Sequence, residues 1–313
     1  MRICFGIYFF FFLFFIACKA ENSSQSAKRE LVYGSDTITS ILIPSVPFML
    51  TDPDKQQEYL LSHYWDYVNF CDTNYIHHPE ITERAWASYC ELLHQVPLTF
   101  AKKSLRTTME RAYVAKVVFN YFVDLADNYL YHPNSPVRSE ELYISVLDAI
   151  IDAPILSDAE KERSRVRLKL VQRNRVGTKA HNFTYSLYSN QQASLYELSS
   201  EYIVLFFNNP ECYSCKETMN HLRSSVLINQ MVSQKRLIIL SVYPDEEVEE
   251  WMNQVSSYPN FWINGYDKQM EIREKQIYDL RAIPSLYLLD RNKIVLLKDV
   301  SSQHIEEFFE NII

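Results

Sequence analysis

The sequence predicts an α+β protein of two domains, an all-helical domain followed by an α/β domain built around a mixed sheet. In residues 54–175, apolar side chains recur every three or four positions, which is the spacing of amphipathic helices. After Gly177, short continuous apolar runs alternate with helical segments, which is typical of buried strands. The 313 residues also suffice for about two domains of ~150 residues each.

The helical domain is assigned to residues 51–176. Helices are predicted over residues 55–71, 82–96, 100–131, 139–151 and 157–175. The last of these begins with Ser157 and Glu160, at the spacing of a capping box. Four large aromatic side chains recur at helical spacing, which favours the core over a binding cleft: Tyr64, Trp65, Trp86 and Tyr89.

The α/β domain is assigned to residues 177–313. Buried strands are predicted at 203–207 and 237–242, and a hairpin of two strands at 286–289 and 294–297. Helices are predicted at 212–229, 245–255 and 302–312. The order β-α-β-α-β-β-α places a mixed sheet between helices.

The amino terminus has the pattern of a secretory signal. Arg2 precedes an apolar run that ends at Ala17 and Cys18, and this run is shorter than the ~20 residues that span a bilayer. A small residue followed by Cys resembles the lipobox of bacterial lipoproteins. The resemblance implies that residues 1–17 are a lipoprotein signal peptide, that Cys18 is lipidated and that residues 18–50 form a polar tether. The alternatives are an uncleaved anchor helix or cleavage near Ala20.

A lipid on Cys18 would hold the protein at the cell envelope, facing the periplasm, with the membrane contacted through the lipid anchor. Lys19 stands where an acidic residue is linked to inner-membrane retention, so we expect the outer membrane rather than the inner one.

Composition argues against several classes of partner. A formal net charge of −8 disfavours nucleic acid, because phosphate binding requires a basic field. The chain has only 4 Gly and no Gly-rich phosphate motif, so no cofactor is expected. A C-x-x-C is present at Cys212 and Cys215, but zinc would need two further ligands and there is no second C-x-x-C; no metal is expected.

Cys71 and Cys90 lie on consecutive predicted helices. Two interpretations remain open, a structural disulfide and two buried free thiols, and the second is favoured.

The C-x-x-C opens a predicted helix directly after a buried strand, an arrangement that resembles the thioredoxin fold. Residues 177–183 and 195–198 resemble the entry stretch of the TlpA/ResA-like branch of that family, with His181 in place of a proline. Residues 282–285, Ala-Ile-Pro-Ser, resemble its cis-proline loop. The resemblance covers residues 177–313.

The resemblance implies roles for three residues. Cys212 is the nucleophile, Cys215 resolves the mixed disulfide, and Pro284 is the wall against which the substrate lies. A helix N-terminus suits this chemistry because its free N–H groups stabilise a thiolate, which is the attacking species in disulfide exchange. Glu211 stands where thioredoxins carry Trp and should oppose thiolate formation.

The helical half resembles an uncharacterised domain that precedes thioredoxin-like domains in envelope lipoproteins, through residues 59–70. Residues 258–267 also fit that two-domain family. No activity of the helical domain follows from this resemblance.

Two functions are therefore expected to compete. The first is a lipid-anchored, periplasm-facing thiol–disulfide oxidoreductase whose partners are thiol- or disulfide-bearing envelope proteins and a redox partner. The second is a non-catalytic, thioredoxin-like scaffold lipoprotein that binds a partner through its helical domain, and the substitution at Glu211 supports it. The sequence leaves open whether the dithiol reduces or oxidises its substrates.

Overall fold

The computed structural model describes residues 40–312. The predicted signal peptide (residues 1–17), Cys18 and the tether as far as residue 39 lie outside this range. The described residues belong to one compact unit, Ile38–Ile313. Among residues 40–312, no helix is both long and apolar enough to cross a membrane.

The amino-terminal half of the described chain is helical, as predicted. Its helices are α1 (Pro53–His63), α2 (Asn74–His77), α3 (Pro79–Leu93), α4 (Leu98–Arg111), α5 (Lys116–Ala126), α6 (Glu140–Asp152) and α7 (Asp158–Val171). Trp65 and Trp86 lie in its core, where both rings pack edge-on against Phe122. The prediction that the four aromatic side chains at positions 64, 65, 86 and 89 are core residues is confirmed.

Two predicted helices differ most from the sequence pattern, and the helix predicted over 157–175 also ends early, at Val171. The first ends at His63. Beyond it, the carbonyl of Trp65 accepts a 3.0 Å hydrogen bond from the N–H of Val68 in a turn and a 2.8 Å hydrogen bond from Arg111. The predicted helix over 100–131 breaks at Ala115, whose backbone is extended. β-Branched Val114 and Val117 flank this break, and such residues have weak helix propensity.

The carboxyl-terminal half has strands β1 (Thr184–Leu187), β2 (Gln192–Ser194), β3 (Tyr202–Phe207), β4 (Leu237–Tyr243), β5 (Ile263–Tyr266), β6 (Ser285–Asp290) and β7 (Val295–Lys298). Its helices are α8 (Tyr213–Ser224), α9 (Val226–Ser233), α10 (Val248–Gln254), α11 (Glu271–Glu274) and α12 (Ser302–Glu310). The strands form one mixed sheet in the order β2-β1-β5-β4-β3-β6-β7. Apolar clusters cover both faces of this sheet.

The prediction missed β1, β2 and β5 because these strands are short and carry polar residues. In β5, Gly265 sits close to β1: a Cβ atom there would lie 2.7 Å from the ring of Tyr185. The predicted helix over 212–229 is two helices, because Ser225 ends α8 and caps α9 with its side chain. The predicted helix at 245 begins only at Val248.

Strand β3 is the element that positions the site. It runs parallel to β4 and antiparallel to β6, and Phe207 at its end pairs with Ser285 at the start of β6. Because antiparallel neighbours run in opposite directions, the loop that leaves β3 and the loop that enters β6 meet at one edge of the sheet. The first loop carries the C-x-x-C and the second carries Pro284.

Candidate active site

The loop after β3 is held by side-chain hydrogen bonds. The side chain of Asn209 accepts from the N–H of Glu211 at 2.8 Å and donates to Asp245 at 2.9 Å. Asp245 also forms a 2.6 Å ion pair with Arg273. These contacts fix the short connection that delivers Cys212 to the start of α8.

Cys212 is the N-cap residue of α8. Its backbone is extended, and its sulfur accepts a 3.1 Å hydrogen bond from the backbone N–H of Cys215. An N-cap side chain lies against the free N–H groups and the positive end of the helix dipole, and both stabilise an anionic sulfur. Cys212 therefore lies at the helix N-terminus, as the sequence predicted, and its role as the nucleophile stays a prediction.

Cys215 lies one turn further along α8 and is 1% exposed. Burial, followed by its contact with Cys212, raises the pKa of the Cys215 thiol far above its usual value, while a hydrogen bond from Asn209 acts in the opposite direction. Cys212 is partly exposed, and both cysteines are free thiols. The two sulfurs therefore differ in access, as a nucleophile and a resolving thiol must.

The Pro284 loop lies beside Cys212. The Ile283–Pro284 peptide bond is cis, and the Cys212 thiol donates a hydrogen bond to the carbonyl of Ile283 with a sulfur–oxygen distance of 3.6 Å. Proline has no N–H, so Pro284 itself presents no donor next to the sulfur. The structure thus brings Cys212, Cys215 and Pro284, all singled out from the sequence, to one place.

Glu211 faces further acidic side chains. Partial desolvation, and then the carboxylates of Glu211 and Glu247, raise the pKa of Glu250 at the start of α10. The surface on this side of the dithiol is therefore acidic. The effect of Glu211 on Cys212 stays a prediction.

The remaining described cysteines are free thiols, as favoured from the sequence. Cys90 is fully buried in the helical core. Cys71 is exposed, so the prediction of two buried thiols is wrong for it. The reason is that α1 ends at His63 and Cys71 lies in the following turn rather than on a buried helix face.

Within residues 40–312, no three His, Cys, Asp or Glu side chains are placed to hold a metal ion. His77 and His78 lie at the end of α2, and His78 contacts Glu80 at 3.3 Å.

Sequence reasoning missed the contribution of Asp245 and Tyr258 to the site. The Asp245 carboxylate accepts the Asn209 amide N–H at 2.9 Å and so holds this loop. Tyr258 is buried in the apolar cluster that contains Cys215. A polar residue placed directly after a buried strand, as Asn208 and Asn209 are, was the available signal for a structured loop.

The fold and the dithiol together define a thioredoxin-like protein that carries an additional helical half. The family model described as a domain of unknown function, DUF5106, matches residues 17–174. The chain belongs to this family.

A solved structure of a thioredoxin-like protein from Bacteroides caccae ATCC 43185 is similar over both halves. It is 52% identical, with a TM-score of 0.85, and the match covers 88% of this chain and 99% of that one. The thioredoxin-like fold with a preceding helical region therefore holds for the whole described chain.

Two further structures match the carboxyl-terminal half. One is the C-terminal domain of an uncharacterized protein from Bacteroides fragilis NCTC 9343, at 50% identity over 44% of this chain and 98% of that one, with a TM-score of 0.43. The other is the thioredoxin domain of a thiol-disulfide oxidoreductase from Bacteroides vulgatus, at 18% identity over 43% of this chain and 98% of that one, with a TM-score of 0.39. No curated protein matches the chain.

Proposed function

We propose that this protein is a thiol–disulfide oxidoreductase that uses Cys212 and Cys215 on envelope proteins. The observation that carries the proposal is the N-cap geometry: an accessible Cys212 sulfur receives the Cys215 N–H at 3.1 Å beside the Pro284 loop, while Cys215 is buried one turn inward. A cysteine pair with a purely structural role would not require one of its sulfurs to be accessible beside Pro284.

The reaction has two exchange steps. The Cys212 thiolate attacks one sulfur of a substrate disulfide, so a mixed disulfide forms and the other substrate sulfur leaves as a thiolate that takes up a proton. Cys215 then loses its proton and attacks the Cys212 sulfur, so the Cys212–Cys215 disulfide forms and the second substrate thiol is released.

The substrate thereby gains two electrons and two protons, and the enzyme dithiol loses them. A dithiol redox partner returns them to Cys212 and Cys215 by the same exchange in reverse, and an oxidising role runs both steps backwards.

Pro284 contributes the surface on which the substrate lies. An extended peptide beside the Ile283–Pro284 bond would present its disulfide to the Cys212 sulfur, which is 3.6 Å from the Ile283 carbonyl. We further propose that Cys18 is lipidated and holds the protein at the outer membrane, facing the periplasm, as its signal-like sequence indicates.

Insulin reduction with dithiothreitol as the electron source tests the activity. Wild-type protein should accelerate the reduction, and Cys212→Ser should abolish the acceleration. Cys71→Ser is the matched control, since it removes an exposed thiol away from α8 and should leave the rate unchanged. Equal rates for wild type and Cys212→Ser would end the proposal.

Trapping in cells distinguishes the enzyme from the scaffold. Cys215→Ser should accumulate mixed disulfides through Cys212 that dithiothreitol releases, because the resolving thiol is missing. A partner retained only without covalent attachment, and equally by Cys212→Ser, would instead support the scaffold lipoprotein.

The anchor is tested on the full chain. Wild-type protein grown with a radioactive fatty acid should carry the label and Cys18→Ser should lack it, and equal labelling of the two proteins would contradict lipidation.

A further inference from the structure

The loop that precedes Pro284 is bound to the helical half through Arg281. The guanidinium of Arg281 donates to the carbonyl of Tyr131 at 2.6 Å and lies over the ring of Tyr131, 3.8 Å from its centroid. It also forms an ion pair with Glu140 at the start of α6, and a second one at 3.0 Å with Asp279 in its own loop. The Arg281 side chain is only 14% exposed, so water screens these contacts weakly.

The residue after Pro284 is bound to the same region. The Ser285 hydroxyl donates to Asp299 at 2.9 Å. Asp299 in turn forms a 2.8 Å ion pair with Arg138, which also donates to its carbonyl oxygen. Arg138 lies two residues before α6. Both flanks of the Ile283–Pro284 bond are thus attached to residues 131–140 of the helical half.

A third contact completes the attachment. The Lys298 ammonium pairs with Glu140 at 2.6 Å and donates to the carbonyls of Val171 and Arg173 at the end of α7. We call the six charged side chains the interdomain cluster: Arg138, Glu140, Asp279, Arg281, Lys298 and Asp299. It contains three cations and three anions, so its formal charges cancel.

Such a cluster fixes the relative position of the segments it joins more than it adds to the free energy of unfolding. Taking ions out of water offsets much of their mutual attraction, so a paired, partly buried cluster is weak in net terms but highly sensitive to geometry. Each half supplies charges that the other half pairs: Glu140 is held by Arg281 and Lys298, and Asp299 by Arg138. The cluster therefore sets where the Pro284 loop stands relative to α6.

We propose that the helical half is a positioning element of the dithiol site, and that Arg281 is its principal positioning residue. This inference rests on the proposed function, because the wall that Arg281 holds matters for catalysis only if disulfide substrates lie against it. Arg281 does not touch the reacting sulfurs. It acts through Ile283, whose carbonyl contacts Cys212, and through Pro284.

The test compares Arg281→Met and Arg281→Lys with wild type. Methionine keeps an unbranched side chain without charge, whereas lysine keeps the charge and one ion pair. Arg106→Met is the matched control, since Arg106 pairs with Glu110 and Asp152 wholly within the helical half. Urea unfolding establishes that each variant is folded under the assay conditions.

The first readout is independent of activity. Hydrogen exchange measured by mass spectrometry on folded protein should show the peptide spanning residues 279–286 opening at least about ten-fold more often in Arg281→Met, with β3 and β4 unchanged. Arg281→Lys should fall between Arg281→Met and wild type, and Arg106→Met should match wild type. Unchanged exchange in this peptide would overturn the proposal, whether or not the wild type is active.

The second readout is the kinetics of protein-disulfide reduction. Arg281→Met should raise KM about ten-fold or more with a smaller change in kcat, because a displaced wall weakens substrate placement. The reaction of Cys212 with a small aromatic disulfide, which needs no wall, should change less than about two-fold.

The outcomes separate the two proposals. If the wild type is inactive but Arg281→Met still increases hydrogen exchange in residues 279–286, the proposed function is refuted. Arg281 then only holds the loop in place. An active wild type whose Arg281→Met variant keeps its KM refutes the positioning role alone. A KM change shared with Arg106→Met would also refute it, since the effect would then be one of general stability.

Discussion

The phenol of Tyr258 donates a 2.8 Å hydrogen bond to the side-chain oxygen of Asn208, and both residues are buried. The amide nitrogen of Asn208 donates to the carbonyl of Phe206 and to the hydroxyl of Ser241 in β4. One side chain thus joins the end of β3, the neighbouring strand and the segment after α10. This amide supports the loop from which Cys212 projects.

Asn208→Ala should lower the free energy of unfolding by about 1–3 kcal/mol, because it leaves buried polar groups of Ser241 and Tyr258 without a partner. Tyr258→Phe should lower the free energy of unfolding by less, since it leaves only the Asn208 oxygen without a hydrogen-bond partner. The double variant should be less destabilised than the sum of the two single variants, because the shared hydrogen bond is lost only once. Urea denaturation measures all three, and strict additivity would contradict a direct coupling.

Alkylation should distinguish the four described cysteines. In folded, reduced protein at pH 8, iodoacetamide should modify Cys212 and Cys71 at least about ten-fold faster than Cys215 and Cys90. Burial is the main cause in the slow pair, since it blocks access and raises the pKa of both thiols. Peptide mapping gives the rates. Protein unfolded in urea should lose this selectivity, and rapid modification of Cys215 in the folded state would show that it is not shielded.

Glu141 should contribute to acid destabilisation. Burial opposes its ionisation, but hydrogen bonds from Arg175 and Lys102 outweigh burial and hold the pKa of Glu141 below its usual value. Its stabilising contribution is therefore full above the unfolded-state pKa of about 4.3 and is lost as the pH falls through the lower folded-state pKa.

Glu141→Gln should accordingly flatten the fall in unfolding free energy between pH 5 and pH 3, measured by urea denaturation at each pH. Asp279 acts in the opposite sense, because burial raises its pKa and its protonation on acidification favours the folded state. Asp279→Asn should therefore steepen the same fall. Identical slopes for wild type and Glu141→Gln would refute the assignment.

Gly265→Ala should destabilise the sheet by roughly 1–3 kcal/mol, as overpacking in a filled interior does. The added Cβ atom would lie 2.7 Å from the Tyr185 ring and 3.2 Å from the carbonyl of Ser186 in β1. The Tyr185 ring is buried and cannot swing away. Tyr185→Leu combined with Gly265→Ala should recover part of the loss, and a neutral single variant would show that β1 and β5 can separate without penalty.

The parts of the fold and site that could be predicted from sequence are those that depend on near neighbours in the chain. Cys212 and Cys215 are three positions apart, and the continuous apolar run of β3 identifies the strand that precedes them. Pro284 was placed by its resemblance to a family loop. Strand β5 was missed because Asn264 and Gly265 interrupt its apolar pattern.

The interdomain cluster could not have been predicted in this way. Glu140 and Arg281 are separated by 141 positions, and each has the pattern of an ordinary charged surface residue. These charges are partly buried and paired with one another only because the two halves pack together. The periodicity of the sequence carries no information about that packing.

The reciprocal pairing of Glu140 with Arg281 and Lys298 also bears on how such chains can diverge. A recombination event that joined either half to the corresponding half of another protein would leave a charged side chain at the junction without its ion-pair partner. Compatible exchange would require simultaneous changes in segments far apart in the gene. The two halves are therefore expected to be inherited as a matched set, and their junction should tolerate drift only through compensating pairs of substitutions.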